Sequence, residues 1–247
     1  MTDSKHGRLT RWLAGAPPWV MVVFAIGASF STYFCMYAFR KPFSAGEYQG
    51  LSFLGTQVNL KTAFVISQLV GYALSKYIGI KICSEATRGR RLRTLLVLIA
   101  IAEIALLLFA LLPMQFKVLA LFANGLPLGM VWGLMVWHLE GRRTSELLLA
   151  GLSCSFILGS GAVKDVGRWL IDSYEVSEFW MPFATGLVFL VPFVVSALLL
   201  DQLPEPSAAD QEARSPRETM DGQRRISFLR QFFLPLMMLF LAYIFLT

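Results

Sequence analysis

Four side chains at the ends of the first two apolar stretches have the chemistry of an anion site. Arg40 follows Tyr37 by three residues, and Lys76 follows Tyr72 by four. Residues at these spacings share one face of a helix, so each cation has a tyrosine beside it. A guanidinium donates two parallel hydrogen bonds to a phosphate or a carboxylate. The pattern predicts a pair of cations that converge on a small anion. In the alternative interpretation each cation only extends to the nearby membrane interface.

Other ionisable groups lie inside or beside apolar stretches. Glu103 stands among alanine and isoleucine residues, and a charged carboxylate would be costly there. It is expected to be protonated for much of the time, either as a proton relay or as a hydrogen-bond partner of a neighbouring helix. Near the end of the fifth stretch, Lys164, Asp165 and Arg168 are close enough in sequence to form a local charge network.

No pattern in the sequence indicates an enzyme, a metal site or a cofactor site. Cys35, Cys83 and Cys154 lie in separate segments without a CxxC pair or a histidine at ligand spacing. The motifs HExxH and GxSxG are both missing from the sequence. The chain has a net charge of +6, but its basic residues form short clusters between apolar stretches. That distribution favours membrane topology over nucleic-acid binding.

The elements that must position these residues are long apolar helices. The chain is 56% hydrophobic and only 15% charged, whereas soluble domains carry about 25% charged residues. A helix needs about 20 apolar residues to cross the hydrocarbon core of a membrane. Six stretches meet that need: 17–39, 62–80, 94–116, 118–139, 147–163 with a continuation through Trp169, and 179–200.

The remaining segments define the predicted domain organisation. Residues 1–16 form a basic tail, 17–200 a six-helix transmembrane bundle, and 201–225 a polar, flexible linker. Residues 226–247 begin a seventh transmembrane helix, and the chain stops inside its apolar run, so a fragment is expected. The tail and the loops after the second and fourth helices are basic, which predicts a cytoplasmic N-terminus and linker. The expected location is the cell membrane, with several spans, and a bacterial inner membrane is favoured.

Small residues recur every four positions in the fourth and fifth stretches. The series are Gly125, Gly129 and Gly133, then Gly151, Ser155 and Gly159. A stripe of small residues on one helix face lets two helices approach closely. The spacing therefore predicts tight helix packing in these two stretches.

The stretch 37–43, Tyr-Ala-Phe-Arg-Lys-Pro-Phe, resembles the helix 1 motif of the organophosphate:phosphate antiporters, a branch of the major facilitator superfamily. The resemblance continues in the second stretch and the fourth. It rests on Tyr72, Ser75, Lys76 and Gly79 in the former and on Gly125, Gly129, Met130 and Trp132 in the latter. Where the antiporters commonly have a substrate-contacting histidine, this chain has Phe156.

The resemblance implies the N-terminal six-helix bundle of a major-facilitator-type fold, all α-helical. It implies that Arg40 binds the anionic group of the substrate, that Lys76 lies near it, and that Tyr37, Tyr72 and Trp132 line the site. The implied function is secondary active transport of a small organic anion, which can be phosphorylated, by alternating access of two bundles. An alternative is a membrane sensor or scaffold that binds the solute without moving it. The expected state is a monomer in the lipid bilayer.

Overall fold

A computed structural model describes residues 7–85, 88–207, 210 and 222–246. Within these ranges the chain forms helices, with no strand longer than the single bridge between Ser52 and Asn59. The helices are α1 (Arg8–Gly15), α2 (Pro18–Met36), α3 (Leu60–Glu85), α4 (Arg88–Leu111), α5 (Met114–Leu139), α6 (Ser145–Tyr174), α7 (Met181–Asp201), α8 (Gly222–Gln231) and α9 (Phe233–Leu246). Short 3-10 turns cover Tyr37–Phe39, Pro42–Ala45 and Phe53–Gly55.

Five of the described helices are long and apolar enough to cross a membrane. They comprise α2 with its extension to Phe39, α4 from Arg90, and the whole of α5, α6 and α7. The chain is therefore an all-α, multi-pass membrane protein. Although α3 is 26 residues long and coincides with the predicted second span, it is not one of the five. Its sequence includes Lys61, Gln68 and Lys76.

Two helices end at residues other than those predicted: α4 ends earlier, before Pro113, and α6 ends later. The third predicted span runs to residue 116, but α4 ends at Leu111 and Pro113 is the N-cap of α5. The prediction was wrong here because proline cannot donate the backbone hydrogen bond that would continue a helix. The fifth predicted span reaches Trp169, and α6 continues to Tyr174.

Both polar segments that flank the bundle have ordered contacts where the structure describes them. Part of the predicted tail is α1, where Leu13 is buried and the Thr10 hydroxyl donates to Gln202 Oε1 at 3.0 Å. After α7, Leu203 is buried and the Arg142 guanidinium donates to the carbonyl of Pro204. The first part of the segment predicted to be flexible thus packs on the bundle, because a buried arginine needs that carbonyl as an acceptor. Residues 1–6, 86–87, 208–209, 211–221 and 247 lie outside the described residues.

Residues 212–247 form a compact unit separate from residues 1–211. Its described part begins with α8 at Gly222, inside the predicted linker, and continues with α9 to Leu246. The two helices are separated at Phe232, just before Pro235. The predicted start of a seventh helix therefore corresponds to two shorter helices.

Close approach of helices α3 and α5 organises the larger unit. A β-carbon on Gly125 would lie 2.4 Å from the Gln68 carbonyl oxygen and 2.8 Å from the Tyr72 nitrogen. One on Gly129 would lie 2.5 Å from the Tyr72 carbonyl oxygen. The prediction of tight packing is confirmed at these two glycines, which let the backbones of α3 and α5 touch. Around this pair, α4 packs on α5 and α7, while α2 packs on α6 and α7.

Candidate functional site

The candidate site begins where α2 loses its helical geometry. The Arg40 amide donates to the Tyr37 carbonyl at 3.0 Å, and the Lys41 amide donates to the same carbonyl at 2.9 Å. Pro42 then interrupts the helix because it has no amide proton. The Ser44 amide donates to the Lys41 carbonyl at 3.0 Å. As a result, Arg40 lies in a turn at the end of the helix, with its side chain half-buried.

Two buried amide side chains hold this turn. Gln68 Nε2 donates to the Arg40 carbonyl at 2.8 Å and to Asn124 Oδ1 at 2.7 Å. Asn124 Nδ2 donates to the carbonyls of Phe39 and Ala102, each at 3.0 Å. Sequence reasoning considered only ionisable groups and missed both residues. The available signal was an uncharged amide inside an otherwise apolar helix, where each polar group needs a partner.

The predicted cations meet on the ring of one tyrosine. The Arg40 guanidinium carbon lies 4.0 Å from the centre of the Tyr72 ring and 5.9 Å from that of Tyr37. On the same Tyr72 ring, Lys76 Nζ lies 5.0 Å from the centre. A cation at these distances is attracted by the electron-rich face of the ring. The structure thus brings together Arg40, Lys76, Tyr37 and Tyr72.

Positive charge at this place is not balanced by acidic side chains. In the described ranges, neither Arg40 nor Lys76 has a carboxylate within ion-pair distance. Burial lowers the pKa of Lys41 below its usual range, and the charges of Arg40 and Lys164 lower it further. The charge of Lys164, which the sequence placed in a local network with Asp165 and Arg168, also acts on Lys41; the network itself stays a prediction. The surplus of cations suits a ligand that carries negative charge.

An aromatic wall lies next to the cations. The Tyr33 ring centre is 5.7 Å from that of Tyr37 and 5.4 Å from that of Trp132. Phe156 completes the wall at 4.9 Å from Trp132. By these contacts the rings of Tyr33 and Tyr37 lie between Arg40 and Trp132, a predicted site residue. Tyr33 was missed, although it lies four residues before Tyr37 and so on the same helix face.

Glu103 occupies a different place from the cations. Its side chain is only 7% exposed, and it packs between α4 and α7 against Gly186, where a β-carbon would lie 2.1 Å from Oε2. Neither carboxyl oxygen has a hydrogen-bond partner among the described residues. The predicted bond to a neighbouring helix is thus not formed there, and the proton relay stays a prediction. In the same ranges no group of three acidic, histidine or cysteine side chains is arranged to hold a metal ion.

A cavity of about 840 Å³ between α2 and α7 does not coincide with this chemistry. Apolar side chains, including Phe30, Phe34, Phe189 and Pro192, make up most of its lining. None of the predicted cations or tyrosines is among the lining residues. An anion would lose its hydration in such a cavity without gaining a partner, so the cation cluster is the better candidate site.

Comparison with known proteins identifies one family. No curated protein and no solved structure matches the chain. The profile of a family of unknown function, DUF5690, matches residues 42–247. That match begins just after Arg40 and Lys41 and includes Tyr72 and Lys76. Because it covers most of the chain, the protein belongs to the family of unknown function DUF5690.

Proposed function

We propose that this protein is a secondary active transporter that carries a small organic anion across the cell membrane by alternating access. The observation that supports the proposal best is the arrangement of Arg40 and Lys76 on the ring of Tyr72, at 4.0 and 5.0 Å. Two cations on adjacent segments lie against the same ring. In this proposal the anion binds beside that ring and contacts both cations. Tyr37 contributes a second ring beside Arg40.

The cost of charge in a membrane favours a functional role for these cations. A lysine or arginine at the centre of a span costs roughly 2.5–3.5 kcal/mol on insertion scales, so such residues face a partner or a water-filled space. Arg40 directly follows the first candidate span, which ends at Phe39, and Lys76 lies on α3, which is not one of the five, so this figure is an upper bound for both. The Lys76 side chain is exposed on α3, and Arg40 is half-buried. Exposure to lipid would be unfavourable for Lys76. In this proposal the exposed Lys76 faces a water-filled cavity that admits the anion, so its charge stays hydrated.

The surplus of cations also bears on the substrate class. Lys41 and Lys164 add positive charge on the side of Arg40 that faces α6. A singly charged carboxylate would leave most of this charge unbalanced, whereas a phosphate monoester carries close to two negative charges at neutral pH. A phosphorylated solute therefore suits the site better. Arg40 would bind it through two parallel hydrogen bonds.

Transport needs groups of helices that move as rigid units. The closely packed helices α3 and α5 form one such unit in this proposal. Alternating access is commonly a rocking of one helix group against another around a central binding site. Both α3, which carries Tyr72 and Lys76, and the turn with Arg40 contribute to the proposed site. The proposal places the N-terminus and residues 201–225 in the cytoplasm, on the basis of the basic loops.

The test is exchange in liposomes that contain the purified whole protein. Vesicles loaded with inorganic phosphate are assayed for uptake of labelled phosphate and labelled glycerol 3-phosphate. Arg40→Lys keeps the charge but loses the two-pronged hydrogen bonding, so uptake should fall at least tenfold. Arg168→Lys is the matched control, because it makes the same replacement at an arginine that is exposed on α6. Its uptake should equal that of the wild type.

Two results would contradict the proposal in different ways. Equal uptake by Arg40→Lys and the wild type would refute the site. Saturable binding of the labelled solute by the protein in detergent, without exchange in vesicles, would indicate a sensor that binds without transport. Uptake by vesicles without protein gives the background in both cases.

A further inference from the structure

We infer that Gln68 and Asn124 are positioning residues that hold the Arg40 turn against the helix carrying Tyr72 and Lys76. The amide nitrogens of both side chains donate to backbone carbonyls and, in Gln68, to the Asn124 side chain. Both act on the backbone on which Arg40 is mounted, through the carbonyls of Phe39 and Arg40. The positioning role does not depend on the proposed function, but the expected effect of these residues on anion binding does.

The first step is the demand for donors that the break in the helix next to Pro42 creates. In a continuous helix the Phe39 carbonyl would accept from residue 43 and the Arg40 carbonyl from Ser44. Ser44 donates to Lys41 instead, at 3.0 Å. Two carbonyls inside a bundle of membrane helices are then left without a backbone donor. An unpaired carbonyl in such surroundings is costly, so donors must come from neighbouring helices.

The second step is that the amide groups of Gln68 and Asn124 donate to these carbonyls, and each of their N–H groups has an acceptor. Carbonyl oxygens only accept hydrogen bonds, so their positions assign each amide nitrogen. Both protons of Gln68 Nε2 and both of Asn124 Nδ2 have an acceptor within 3.0 Å. Asn124 is fully buried and Gln68 is 6% exposed. Water is therefore a poor substitute for either amide.

The third step links these bonds to the geometry of the cations. Gln68, Tyr72 and Lys76 are four residues apart on α3, so they follow one another along a single helix face. Gln68 fixes the Arg40 backbone to the start of that face, and Arg40 then lies 4.0 Å from the Tyr72 ring one turn further on. Asn124 completes the link from α5, next to Gly125, where α3 and α5 touch.

Hydrogen exchange at the turn tests the positioning role without assuming any function. Gln68→Met keeps the length of the side chain but removes its donors. Exchange of the Arg40, Lys41 and Ser44 amides in the whole protein should then accelerate at least tenfold. Ser67→Ala is the matched control, because Ser67 also joins α3 to α5, through a 2.6 Å bond to the Val118 carbonyl away from the turn. Its effect on the same amides should be less than twofold.

A second variant and a second measurement separate the possible failures. If Gln68→Met does not fold, Asn124→Asp serves instead, because it keeps the acceptor for Gln68 but loses the donors to Phe39 and Ala102. Stabilisation by inorganic phosphate, followed as a thermal shift, should need at least tenfold more phosphate in either variant than in Ser67→Ala. Unchanged exchange at the turn overturns the inference, even if Arg40→Lys abolishes uptake. A third outcome is faster exchange in the variants, while phosphate does not stabilise the wild type. That outcome supports the positioning role and counts against the proposed function.

Discussion

The contact between α3 and α5 at Gly125 yields the sharpest prediction about the fold. In Gly125→Ala the new β-carbon would lie 2.4 Å from the Gln68 carbonyl oxygen, and ordinary contacts begin at 3.4 Å. The helices must therefore separate locally by about 1 Å, because the obstructing atoms are backbone and no side-chain rotation relieves them. Overpacking of this kind costs about 1–3 kcal/mol. Alanine regains about 0.8–1.0 kcal/mol in helix propensity relative to glycine. The expected net loss is therefore about 0–2 kcal/mol, and it lies about 1–3 kcal/mol below an alanine substitution that meets no obstruction.

Reversible unfolding of the detergent-solubilised protein, followed by circular dichroism, measures that loss. Gly161→Ala is the matched control, because Gly161 lies within α6 and a β-carbon there meets no atom within 4 Å. Its stability should be unchanged or raised by up to about 1 kcal/mol. The reasoning also predicts weaker binding of phosphate by Gly125→Ala, since the displaced backbone belongs to Gln68 and Tyr72. If Gly125→Ala were as stable as Gly161→Ala, α3 and α5 could not be in backbone contact, and the explanation for the glycine spacing would be wrong.

Two further predictions concern buried charged residues away from the candidate site. Gly186→Ala should be destabilised less than Gly125→Ala, because the atoms that its β-carbon would meet belong to the carboxyl end of the flexible Glu103 side chain rather than to backbone. Adding Glu103→Ala should recover most of the lost unfolding free energy, with a coupling energy of about 0.5–3 kcal/mol in a double-mutant cycle. If the effects of the two substitutions simply added, the two residues would not be in contact. Lys117→Met should lose about 1–3 kcal/mol of unfolding free energy, because the buried Lys117 ammonium donates to the carbonyls of Phe109 and Ala110 at the end of α4. The same replacement at the exposed Arg168 should have no measurable effect, and an equal loss at both positions would contradict the explanation.

Much of the helical framework follows from the amino-acid sequence alone. An apolar run of about 20 residues that lies in lipid must satisfy its backbone internally, and an α-helix does so within one segment. For that reason the predicted stretches 17–39, 118–139 and 179–200 agree closely with α2, α5 and α7. The pairing of Tyr37 with Arg40 and of Tyr72 with Lys76 also follows from sequence, because residues three or four apart share a helix face whatever the helix packs against.

Only the tertiary structure decided how those faces meet. Gln68 bonds to the Arg40 carbonyl and to Asn124, which are 28 and 56 residues away in the chain. Such bonds depend on the rotation and depth of α3 and α5 relative to the α2 turn, which periodicity within one helix does not specify. Likewise, the charge of Lys164 acts on Lys41, because the 3-10 turn at Pro42–Ala45 packs on α6. Local spacing determined which side chains lie together on each helix, and packing between helices determined which faces share a site, because those contacts join residues far apart in sequence.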